Sequence, residues 1–418
     1  MDKKKIAFIG YGIENKSLLA WFLKHQAPAD FTICDFNESV KTNLKNVAWR
    51  LGKDCLKNLK DFDLIYRSPG CPIFLPELKP VKYRITSAMN LFMELAPTNN
   101  IIGVTGSKGK GTTASLIYTI LKKNGEQVFL GGNIGVAPFD FLDKLTRDSY
   151  VVLELSSFQL EDFKISPKYA VLTNLFKEHL EPADPNNPNY HKTFKIYKEA
   201  KLNIARHSQN KYFLTHERLK TLNIKKALYF TSSDLPSHLA GEFNKENIAA
   251  AVALAKILKI KNEVVKKAVA SFKGLPHRLE LIATKKGVTY YDNSFSTTPE
   301  STIADLKSFP GATIILGGAD KGADFKALAR EVKKNAQLVI LFSGTASPRL
   351  KKEILATGYA ANKIKNAKSM PEAIKLASTN TKPGDVVLLS TACASFGLFK
   401  NYKERGDLFQ KYVKELKN

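Results

Sequence analysis

The stretch from residue 101 to residue 125 contains the residue types of a phosphate-binding loop. The apolar run Ile101–Val104 is typical of a buried strand, and Thr112–Lys122 of an amphipathic helix that Asn124-Gly125 would end. Between them lies a loop with three glycines around lysines, Gly106-Ser107-Lys108-Gly109-Lys110-Gly111. Glycines let backbone N–H groups approach phosphate oxygens, and the start of a helix adds partial positive charge. The pattern predicts a site for the phosphates of a nucleotide.

Two kinds of side chain in this stretch add further chemistry. Lys110 would reach the outer phosphates, and the hydroxyl of Thr112 or Thr113 could hold Mg²⁺. The general pattern has Ser or Thr directly after the lysine, where this chain has Gly111. An ordinary strand–helix turn is the alternative. The strand, the glycines, the lysine and the two threonines together favour nucleotide binding.

Candidate metal ligands lie at the ends of two further predicted strands. Glu154 ends the run Tyr150–Glu154, and His179 lies shortly after Tyr169–Leu172. Because the carboxyl ends of parallel strands meet at one edge of a sheet, both positions border the phosphate loop. A carboxylate oxygen and a neutral imidazole nitrogen can bind a divalent cation together. A lone histidine is more often structural, but its place beside a phosphate loop favours a magnesium site.

The start of the chain contains a weaker nucleotide signal. Gly10-x-Gly12 follows a predicted strand, but Asn15 stands where the dinucleotide fingerprint needs its third glycine. We therefore do not expect NAD. A single nucleoside diphosphate across the strand ends is an alternative, with Asp35 as a hydrogen-bond acceptor.

Composition argues against several classes of protein. The net charge is +25, yet the lysines are scattered in pairs such as Lys122-Lys123 and Lys333-Lys334, with no basic arm and no stripe of interleaved aromatics. We therefore expect no nucleic-acid partner. No apolar window approaches the ~18 residues of a membrane span, so we expect no membrane partner. The four cysteines are far apart, which predicts reduced thiols in a cytoplasmic protein.

The elements that must position these residues alternate between apolar runs and amphipathic stretches, as in parallel α/β proteins. We predict three α/β domains: a Rossmann-like N-terminal domain (1–96), a central domain of the P-loop ATPase type (97–274) and a Rossmann-like C-terminal domain (275–418). The proline-rich stretch Glu181–Pro188 is predicted to be a long loop. Further helices are expected at Ser17–Lys24, His191–Ile204 and Ala249–Ile257, and further strands at Lys5–Ile9, Phe31–Cys34, Leu64–Tyr66, Val288–Tyr291, Thr313–Leu316, Leu338–Phe342 and Val386–Leu389.

Together, these segments resemble the Mur ligases of peptidoglycan synthesis and their folylpolyglutamate synthase relatives. The motifs run almost from end to end: Thr105–Thr112 (TGSKGKGT), Gly132–Gly135 (GNIG), Glu154–Leu160 (ELSSFQL), Glu178-His179, Tyr197–Leu202 (YKEAKL), Gly274–Glu280 (GLPHRLE), Asp292–Thr302 (DNSFSTTPEST), Gly317–Phe325 (GGADKGADF) and Leu389–Arg405 (LSTACASFGLFKNYKER). The last three resemble the branch that adds D-glutamate to UDP-MurNAc-L-Ala. The resemblance therefore implies an ATP-dependent ligase that works through an acyl phosphate.

The resemblance also implies roles for individual residues. It places the UDP-sugar substrate at Asp35, Ser68, Pro69, Gly70 and Asn133. ATP would be bound by Gly106, Ser107, Lys108, Gly109, Lys110, Gly111, Thr112, Asn244, Asn247, His277 and Arg278, the last two at a hinge. Mg²⁺ would be held by Thr112, Glu154, His179 and Lys201, the lysine being carbamylated, and Lys110, Glu154, His179 and Lys201 would form the catalytic set. The incoming amino acid would meet Thr297, Lys321, Ser395 and Tyr402.

Several positions depart from the family pattern. Gly111 replaces the usual hydroxyl residue, so Thr112 must serve the metal, and Phe243 stands where a histidine is usual. Asn293 and Phe295 replace an Asp and a Lys, and Tyr402 replaces a Phe. A further departure is an expected insertion at Glu181–Asn189. The ATP-binding residues follow the pattern, whereas the amino-acid pocket is partly altered, which leaves the identity of the amino acid open.

There are three alternatives to a D-glutamate ligase. One is another ligase of the same superfamily, specific for L-glutamate or a different amino acid or similar to folylpolyglutamate synthase. Another is a binding or scaffold protein with a relic phosphate loop, which the presence of Glu154, His179 and Lys201 disfavours. The last is a nucleic-acid ATPase, for which the sequence lacks a basic channel. We expect a monomer.

Overall fold

The computed structural model of the chain describes residues 3–181, 189–207, 209–224 and 226–417. These residues contain three β-sheets and divide into two compact units. Unit 1 comprises Met1–Asp234 and Glu246–Ala268 and contains the first two sheets; unit 2 comprises Leu235–Lys245 and Val269–Asn418 and contains the third. In the described parts of the chain, no helix combines the length and apolar character needed to cross a bilayer.

The first sheet and its helices occupy residues 4–95, in the elements β1 (Lys4–Ile9), α1 (Ile13–Lys24), β2 (Ala29–Asp35), β3 (Val47–Leu51), β4 (Leu64–Arg67), β5 (Ile85–Thr86) and α2 (Ala88–Leu95). Its five described strands are all parallel, in the order β3-β2-β1-β4-β5. The last four residues of β1 are buried, as a central strand of a covered sheet requires. The order reverses beside β1, so Asp35 and Ser68 lie at the edge where such sheets bind ligands.

The second sheet carries the phosphate loop, and its strands are β6 (Ile101–Thr105), β7 (Val128–Gly132), β8 (Tyr150–Glu154), β9 (Tyr169–Leu172), β10 (Tyr212–His216) and β11 (Ala227–Phe230). They are parallel, in the order β11-β10-β9-β6-β8-β7. Its helices are α3 (Lys110–Lys123), α4 (Ser157–Leu160) and α5 (Phe194–Leu202), followed by α6 (Glu242–Ile257) and α7 (Asn262–Ser271). Because β6 lies between β8 and β9, the ends of those two strands flank the phosphate loop.

The third sheet forms the centre of unit 2, with strands β12 (Glu280–Lys285), β13 (Val288–Asp292), β14 (Ala312–Leu316), β15 (Ala336–Phe342), β16 (Ile364–Ala367) and β17 (Val386–Leu389). The order is β12-β13-β17-β14-β15-β16, with β12 antiparallel to β13 and the others parallel. Its helices are α8 (Pro299–Ser308), α9 (Lys326–Asn335), α10 (Ser347–Ala356), α11 (Met370–Thr379) and α12 (Tyr402–Glu415).

Buried apolar side chains explain why these sheets are stable. In unit 1, one cluster contains Phe8 of the first sheet, Val151 of the second and Phe92 and Phe139 between them, so the two sheets share a core. In unit 2, neighbouring residues of β14 face opposite sides: Ile314 joins one cluster and Ile315 the other. This alternation with apolar residues on both faces is expected where helices cover both sides of a parallel sheet.

The predicted α/β class with parallel sheets is confirmed. The structure differs from the prediction at the start of one helix and at an edge strand of the first sheet. The edge strand β3 was missed because its residues are only partly buried, so it lacks a continuous apolar run. The predicted helix His191–Ile204 was wrong at its start. Helix α5 begins after Thr193, whose hydroxyl caps it by accepting a hydrogen bond from the Ile196 N–H. The limits of the three domains stay predictions. The predicted loop Glu181–Pro188 lies, after its first residue, outside the described residues.

Candidate functional site

The phosphate loop joins β6 to α3, and two of its glycines have backbone angles that favour glycine. Gly106 has φ +147° and Gly109 has φ +80°. A Cβ on Gly106 would collide with Thr173 Oγ1, and one on Gly109 would collide with Asn247 Oδ1. Both positions therefore require glycine for close packing as well as for conformation.

Hydrogen bonds tie the loop to the residues that follow β9. The Ser107 N–H donates to the Asn174 carbonyl at 3.0 Å, and the Lys108 N–H donates to Asn174 Oδ1 at 2.8 Å. The Thr173 hydroxyl donates to the Lys108 carbonyl at 2.6 Å. These bonds fix the backbone around the lysines, so the remaining loop N–H groups are held in place for an anion.

The lysines and threonines of the loop differ in their surroundings. Lys110 Nζ donates to the Ser107 carbonyl at 2.9 Å and is thus folded over the loop. Lys108 Nζ forms an ion pair with Glu178 at 2.7 Å. Thr113 is fully buried and its hydroxyl bonds Asn247 Oδ1 at 3.4 Å. Of the two threonines, Thr112 is therefore the better candidate for a metal.

Glu154, at the end of β8, is a buried carboxylate with only part of its bonding capacity used. Its Oε1 accepts from Asn133 Nδ2 at 3.2 Å, while the Asn133 N–H donates to the Glu154 carbonyl at 2.8 Å. Its Oε2 has no hydrogen-bond partner among the described residues. A buried carboxylate oxygen without a partner is costly unless a cation or water satisfies it, so Glu154 is suited to Mg²⁺.

His179 is an exposed residue with φ +55°, and its ring meets that of Phe158 edge to face with the centroids 5.2 Å apart. Loss of water around the ring lowers its pKa, and Lys110 and Lys201 act in the same direction, although Glu178 opposes them. The imidazole is therefore neutral at physiological pH, which is the form that binds metal ions.

Lys201 lies on α5 and is 1% exposed. Its Nζ is 4.7 Å from the centre of the Tyr197 ring. Burial lowers its pKa well below the ordinary value, and the positive charge of Lys110 adds to the effect, opposed by Glu178 and Glu154. A buried lysine with a lowered pKa has a neutral, nucleophilic amine. The charges acting on Lys201 also place Lys110, Glu154 and Lys201 in one neighbourhood.

Four of the five predicted UDP-sugar residues lie where the strands on either side of β1 end, Asp35 at the end of β2 and Ser68, Pro69 and Gly70 after β4, while Asn133 follows β7 of the second sheet. Asp35 accepts from the N–H groups of Tyr11 at 2.7 Å and Asn37 at 2.8 Å. Ser68 follows β4, and its Cβ lies so close to Gly10 that a side chain there would not fit. Gly10-x-Gly12 thus serves close packing against Ser68, which explains a glycine pair without the third glycine of a dinucleotide site.

In unit 2, the hinge residue His277 is held by a buried acid. Its ring atom Nδ1 is 2.7 Å from Asp292 Oδ2, and its backbone N–H donates to Glu280 Oε2 at 2.9 Å. The hydrogen bond to Asp292 raises the pKa of His277, against the effect of burial. Gln410 of α12 donates to both acids, at 3.1 Å to Asp292 and 3.0 Å to Glu280. The neighbouring Arg278 lies over the ring of Phe295, with Cζ 3.7 Å from its centre.

Three of the predicted amino-acid residues, Thr297, Lys321 and Ser395, lie on loops after β13, β14 and β17, and Tyr402 begins α12. Ser395 is buried, Thr297 and Tyr402 are half-buried, and Lys321 is exposed. Lys321 Nζ lies 5.8 Å from the centre of the Phe396 ring. Arg349 Nη1 donates to both carboxylate oxygens of the preceding Asp320, at 2.7 and 2.6 Å, which fixes that loop. The chain thus presents a cation and hydroxyl groups at one end of the third sheet.

Comparison with known proteins shows the family to which the chain belongs. Residues 104–228 match the family described as Mur ligase middle domain, and residues 277–393 match Mur ligase, glutamate ligase domain. The UDP-N-acetylmuramoylalanine–D-glutamate ligase of Acetivibrio thermocellus is 33% identical, over 100% of this chain and 97% of that protein. The same-named ligase of Clostridium kluyveri is 35% identical, over 99% and 97%. The chain belongs to the Mur ligase family.

Solved structures of Mur ligases have the same fold. MurF ligase from Thermotoga maritima, in complex with ADP, is 18% identical with a TM-score of 0.60, covering 99% of this chain and 96% of that one. UDP-N-acetylmuramate-alanine ligase MurC from Thermotoga maritima is 17% identical with a TM-score of 0.58, covering 99% and 100%. At this identity the likeness establishes the three-domain α/β fold and nothing finer.

The predicted nucleotide-side asparagines of this Mur ligase lie one helical turn apart on α6. Both are buried: Asn244 donates to the Ala240 carbonyl at 2.6 Å, and Asn247 packs against Gly109. Asn293, which departs from the family pattern, is also buried, and its amide donates to Asp305 at 2.6 Å. Asn293 thus serves an internal network rather than facing a ligand.

Sequence reasoning missed a buried ionic cluster in unit 1 of this Mur ligase. Arg67 is 1% exposed, bonds Asp162 at 3.0 Å and lies 3.5 Å from Glu161. Its other nitrogens donate to the carbonyls of Cys71 at 2.6 Å and Phe158 at 3.1 Å. Arg67 therefore ties the turn containing Ser68 to α4, which follows Glu154. The sequence did contain an indication that Arg67 is buried, since Arg67 ends an apolar strand.

A second missed residue, Arg405, supports the amino-acid loops. It is fully buried on α12 and donates to Ser294 Oγ at 3.0 Å, the Ser294 carbonyl at 2.8 Å and the Cys393 carbonyl at 3.2 Å. Burial lowers its pKa to about 10. These bonds join the loop after β13, which carries Thr297, to the loop after β17, which carries Ser395. The sequence did not predict this role, because a charged residue on an amphipathic helix usually faces water.

Proposed function

We propose that this Mur ligase joins D-glutamate to UDP-MurNAc-L-Ala with ATP, through an acyl phosphate, in the synthesis of peptidoglycan precursors. The full-length likeness to ligases named for this reaction carries the choice of substrates. The chemistry is supported by the phosphate loop beside Glu154, His179 and Lys201. The proposal places the enzyme in the cytoplasm, where ATP and nucleotide sugars are made, and a monomer stays a prediction.

The first step transfers a phosphoryl group. The substrate carboxylate attacks the γ-phosphorus of ATP, an O–P bond forms, the bond to the β,γ-bridging oxygen breaks, and ADP leaves. Two anions must meet, so the positive charge of Lys110 and the N–H groups of the loop stabilise the charge that develops. Gly109 and Gly106 allow this backbone to approach the phosphates.

Mg²⁺, when bound, would neutralise charge on the phosphate oxygens. Thr112, Glu154, His179 and a carbamate on Lys201 would hold it. The neutral amine of Lys201 attacks carbon dioxide, an N–C bond forms as one C–O π bond breaks, and one N–H proton leaves to solvent, so that a neutral buried amine becomes an anionic carbamate. This change suits Lys201, because burial opposes its protonated form more strongly than the charges of Glu178 and Glu154 favour it.

The second step forms the amide. The neutral amine of the amino acid attacks the acyl carbon, an N–C bond forms, phosphate leaves with the electrons of the C–O bond, and one N–H proton leaves to solvent. Lys321 would pair with a carboxylate of the amino acid, while Ser395, Thr297 and Tyr402 orient its amine toward the carbonyl. Asp35, Ser68, Pro69, Gly70 and Asn133 would hold the UDP-sugar substrate. Asn244, Asn247, His277 and Arg278 would bind the nucleotide.

The test is a phosphate-release assay with UDP-MurNAc-L-Ala, D-glutamate, ATP and Mg²⁺, together with mass spectrometry of the product. We expect phosphate and the D-glutamyl product in equal amounts, and neither when any one substrate is omitted. L-Glutamate and other amino acids serve as comparisons. Turnover with one of them but not with D-glutamate would replace the proposed substrate, and ATP binding without any phosphate release would refute a ligase.

A further inference from the structure

Phe295 lies in the loop between β13 and α8 and contacts residues from both predicted ligand sites of unit 2. The guanidinium of Arg278, expected to bind nucleotide, lies 3.7 Å from the centre of its ring. The ring of Tyr402, expected to meet the amino acid, is perpendicular to it at 89°, with the centroids 5.1 Å apart. Both distances are in the range of favourable cation–π and aromatic contacts.

Hydrogen bonds of Phe295 and of the preceding Ser294 hold the loop that carries the ring. The Phe295 N–H donates to the His277 carbonyl at 3.1 Å, which binds this loop to the residue before Arg278. The hydroxyl of Ser294 donates to the Tyr402 carbonyl at 2.7 Å, which binds the same loop to the start of α12. One main-chain hydrogen bond and one bond from the Ser294 hydroxyl therefore join the loop of Phe295 to the segments that carry Arg278 and Tyr402, so movement of one ring or guanidinium would disturb its neighbour.

Stability alone gives a weak account of this aromatic side chain. Phe295 is 39% exposed, whereas the core aromatics of unit 2, such as Phe342 and Phe409, are fully buried. An exposed ring contributes less to folding because less apolar area leaves water. Phe295 can therefore be changed without the loss of fold that a core aromatic would cause.

We propose that Phe295 is a positioning residue that couples nucleotide binding to amino-acid binding. Its ring holds the guanidinium of Arg278 where it can bind nucleotide phosphates, and it buttresses Tyr402 at the pocket for an amino acid. The inference rests on the proposed function for the roles of Arg278 and Tyr402. Because coupling between sites is reciprocal, ordering Arg278 on a phosphate also orders Tyr402, and each ligand raises the affinity for the other.

The test compares Phe295→Leu, which removes the ring, with Phe295→Trp, which keeps an aromatic face. Tyr412→Leu is the matched control, because Tyr412 also has a nearby cation, Lys411 at 5.4 Å, but lies at the far end of α12. For each variant the KM for ATP and for D-glutamate is measured, with the dissociation constant for ATP in the presence and absence of D-glutamate. Thermal unfolding checks the fold.

We expect Phe295→Leu to raise both KM values about fivefold and to abolish the tightening of ATP binding by D-glutamate. Phe295→Trp should keep both values within about twofold, since indole also attracts a guanidinium. Tyr412→Leu should leave both unchanged. A rise in only one KM, or equal losses in the leucine and tryptophan variants, would overturn the coupling.

Failure of the proposed function gives a different result. If the wild-type chain does not turn over D-glutamate, the substrate assignment fails, and the dissociation constant for ATP alone still tests Phe295. An ATP affinity lowered in Phe295→Leu and kept in Phe295→Trp supports the role of the ring, and an affinity unchanged in both refutes it.

Discussion

In unit 1, two of the four side chains of the proposed catalytic set, Glu154 and Lys201, are buried, whereas in unit 2 most side chains expected to touch a ligand are accessible. Glu154 is 2% exposed and Lys201 is 1% exposed, while Lys321 is exposed and Tyr402 is half-buried. In unit 2 the buried polar residues, Arg405 and Asp305, stand behind the pocket. Burial thus affects two of the proposed reacting groups in unit 1 and, in unit 2, residues that support the loops of the proposed pocket.

This difference follows from what each site must do. Phosphoryl transfer is accelerated by charges fixed where water is excluded, because electrostatic interactions are stronger there. Recognition of a soluble amino acid requires groups that the ligand can reach, and their precision must come from the loops that carry them. Substitutions should accordingly act on turnover in unit 1, and on affinity or loop stability in unit 2.

The largest effect is expected for Lys201→Met. Without the amine no carbamate can form, so we expect turnover to fall by at least ~100-fold, as when other fixed charges are removed from active sites. Phosphate release measures this, and intact-protein mass spectrometry at raised bicarbonate should detect added carbon dioxide on the wild type alone. Lys195→Met is the matched control, because Lys195 is exposed on the same helix. Full turnover in Lys201→Met would remove the catalytic role of the buried lysine.

The next largest effect is expected for Gly109→Ala in the phosphate loop. Comparison with Gly125→Ala separates the effect of a positive φ from that of a collision with a neighbouring side chain. Gly109→Ala should lower turnover about 100-fold, because its Cβ would displace Asn247 and shift the loop. Gly125 also has positive φ, +87°, but a Cβ there meets no atom within 4 Å. Gly125→Ala should therefore cost about 1 kcal/mol of stability and leave turnover unchanged. Equal turnover in the two variants would show that packing against Asn247 does not matter.

A smaller effect, confined to affinity, is expected for Lys321→Gln. Loss of the charge that pairs with a substrate carboxylate should raise the KM for D-glutamate about tenfold or more, while the KM for ATP stays within about twofold. Lys326→Gln, an exposed lysine at the start of α9, is the control. If kcat falls and the KM for D-glutamate does not change, then unit 2 acts on chemistry and the contrast between the units is wrong.

The sequence was most informative where short segments have a stringent physical requirement. Glycines around Lys110, an acid at the end of β8 and a histidine past β9 predicted a site that the strand order brings together. The parallel class of the sheets was also predictable, because strands covered on both faces form continuous apolar runs. Half-buried edge strands such as β3 have no such run, so their existence depends on tertiary pairing.

Long-range polar contacts could not be predicted from the sequence. Arg67 bonds Asp162, which lies 95 residues further along the chain, and Arg405 bonds Ser294, 111 residues before it. Neither pairing is encoded by local spacing, since it depends on which strands become neighbours. Departures from the family pattern were visible at Asn293 and Phe295, but only the structure distinguishes an internal network from an accessible ring.

The smallest effect tests the supports behind the amino-acid pocket. Asp305 is completely buried and accepts from Ser390 Oγ and Asn293 Nδ2, both at 2.6 Å. Burial raises its pKa to about 7, although these two bonds act against the increase. The ordinary pKa of an aspartate is near 3.8, so the folded protein keeps a proton that the unfolded chain has lost between these two pH values.

The sign of the pH dependence follows directly. A group whose pKa is higher in the folded state contributes stability below its unfolded pKa and loses it as pH rises through the folded pKa. Asp305→Asn removes this titration, so the thermal midpoint of the wild type should fall relative to the variant by a few degrees between pH 5 and pH 8. The KM for ATP should not change. A constant difference between the two midpoints across this range would mean that Asp305 is ionised in the fold, and the polar network would then be held by a buried charge.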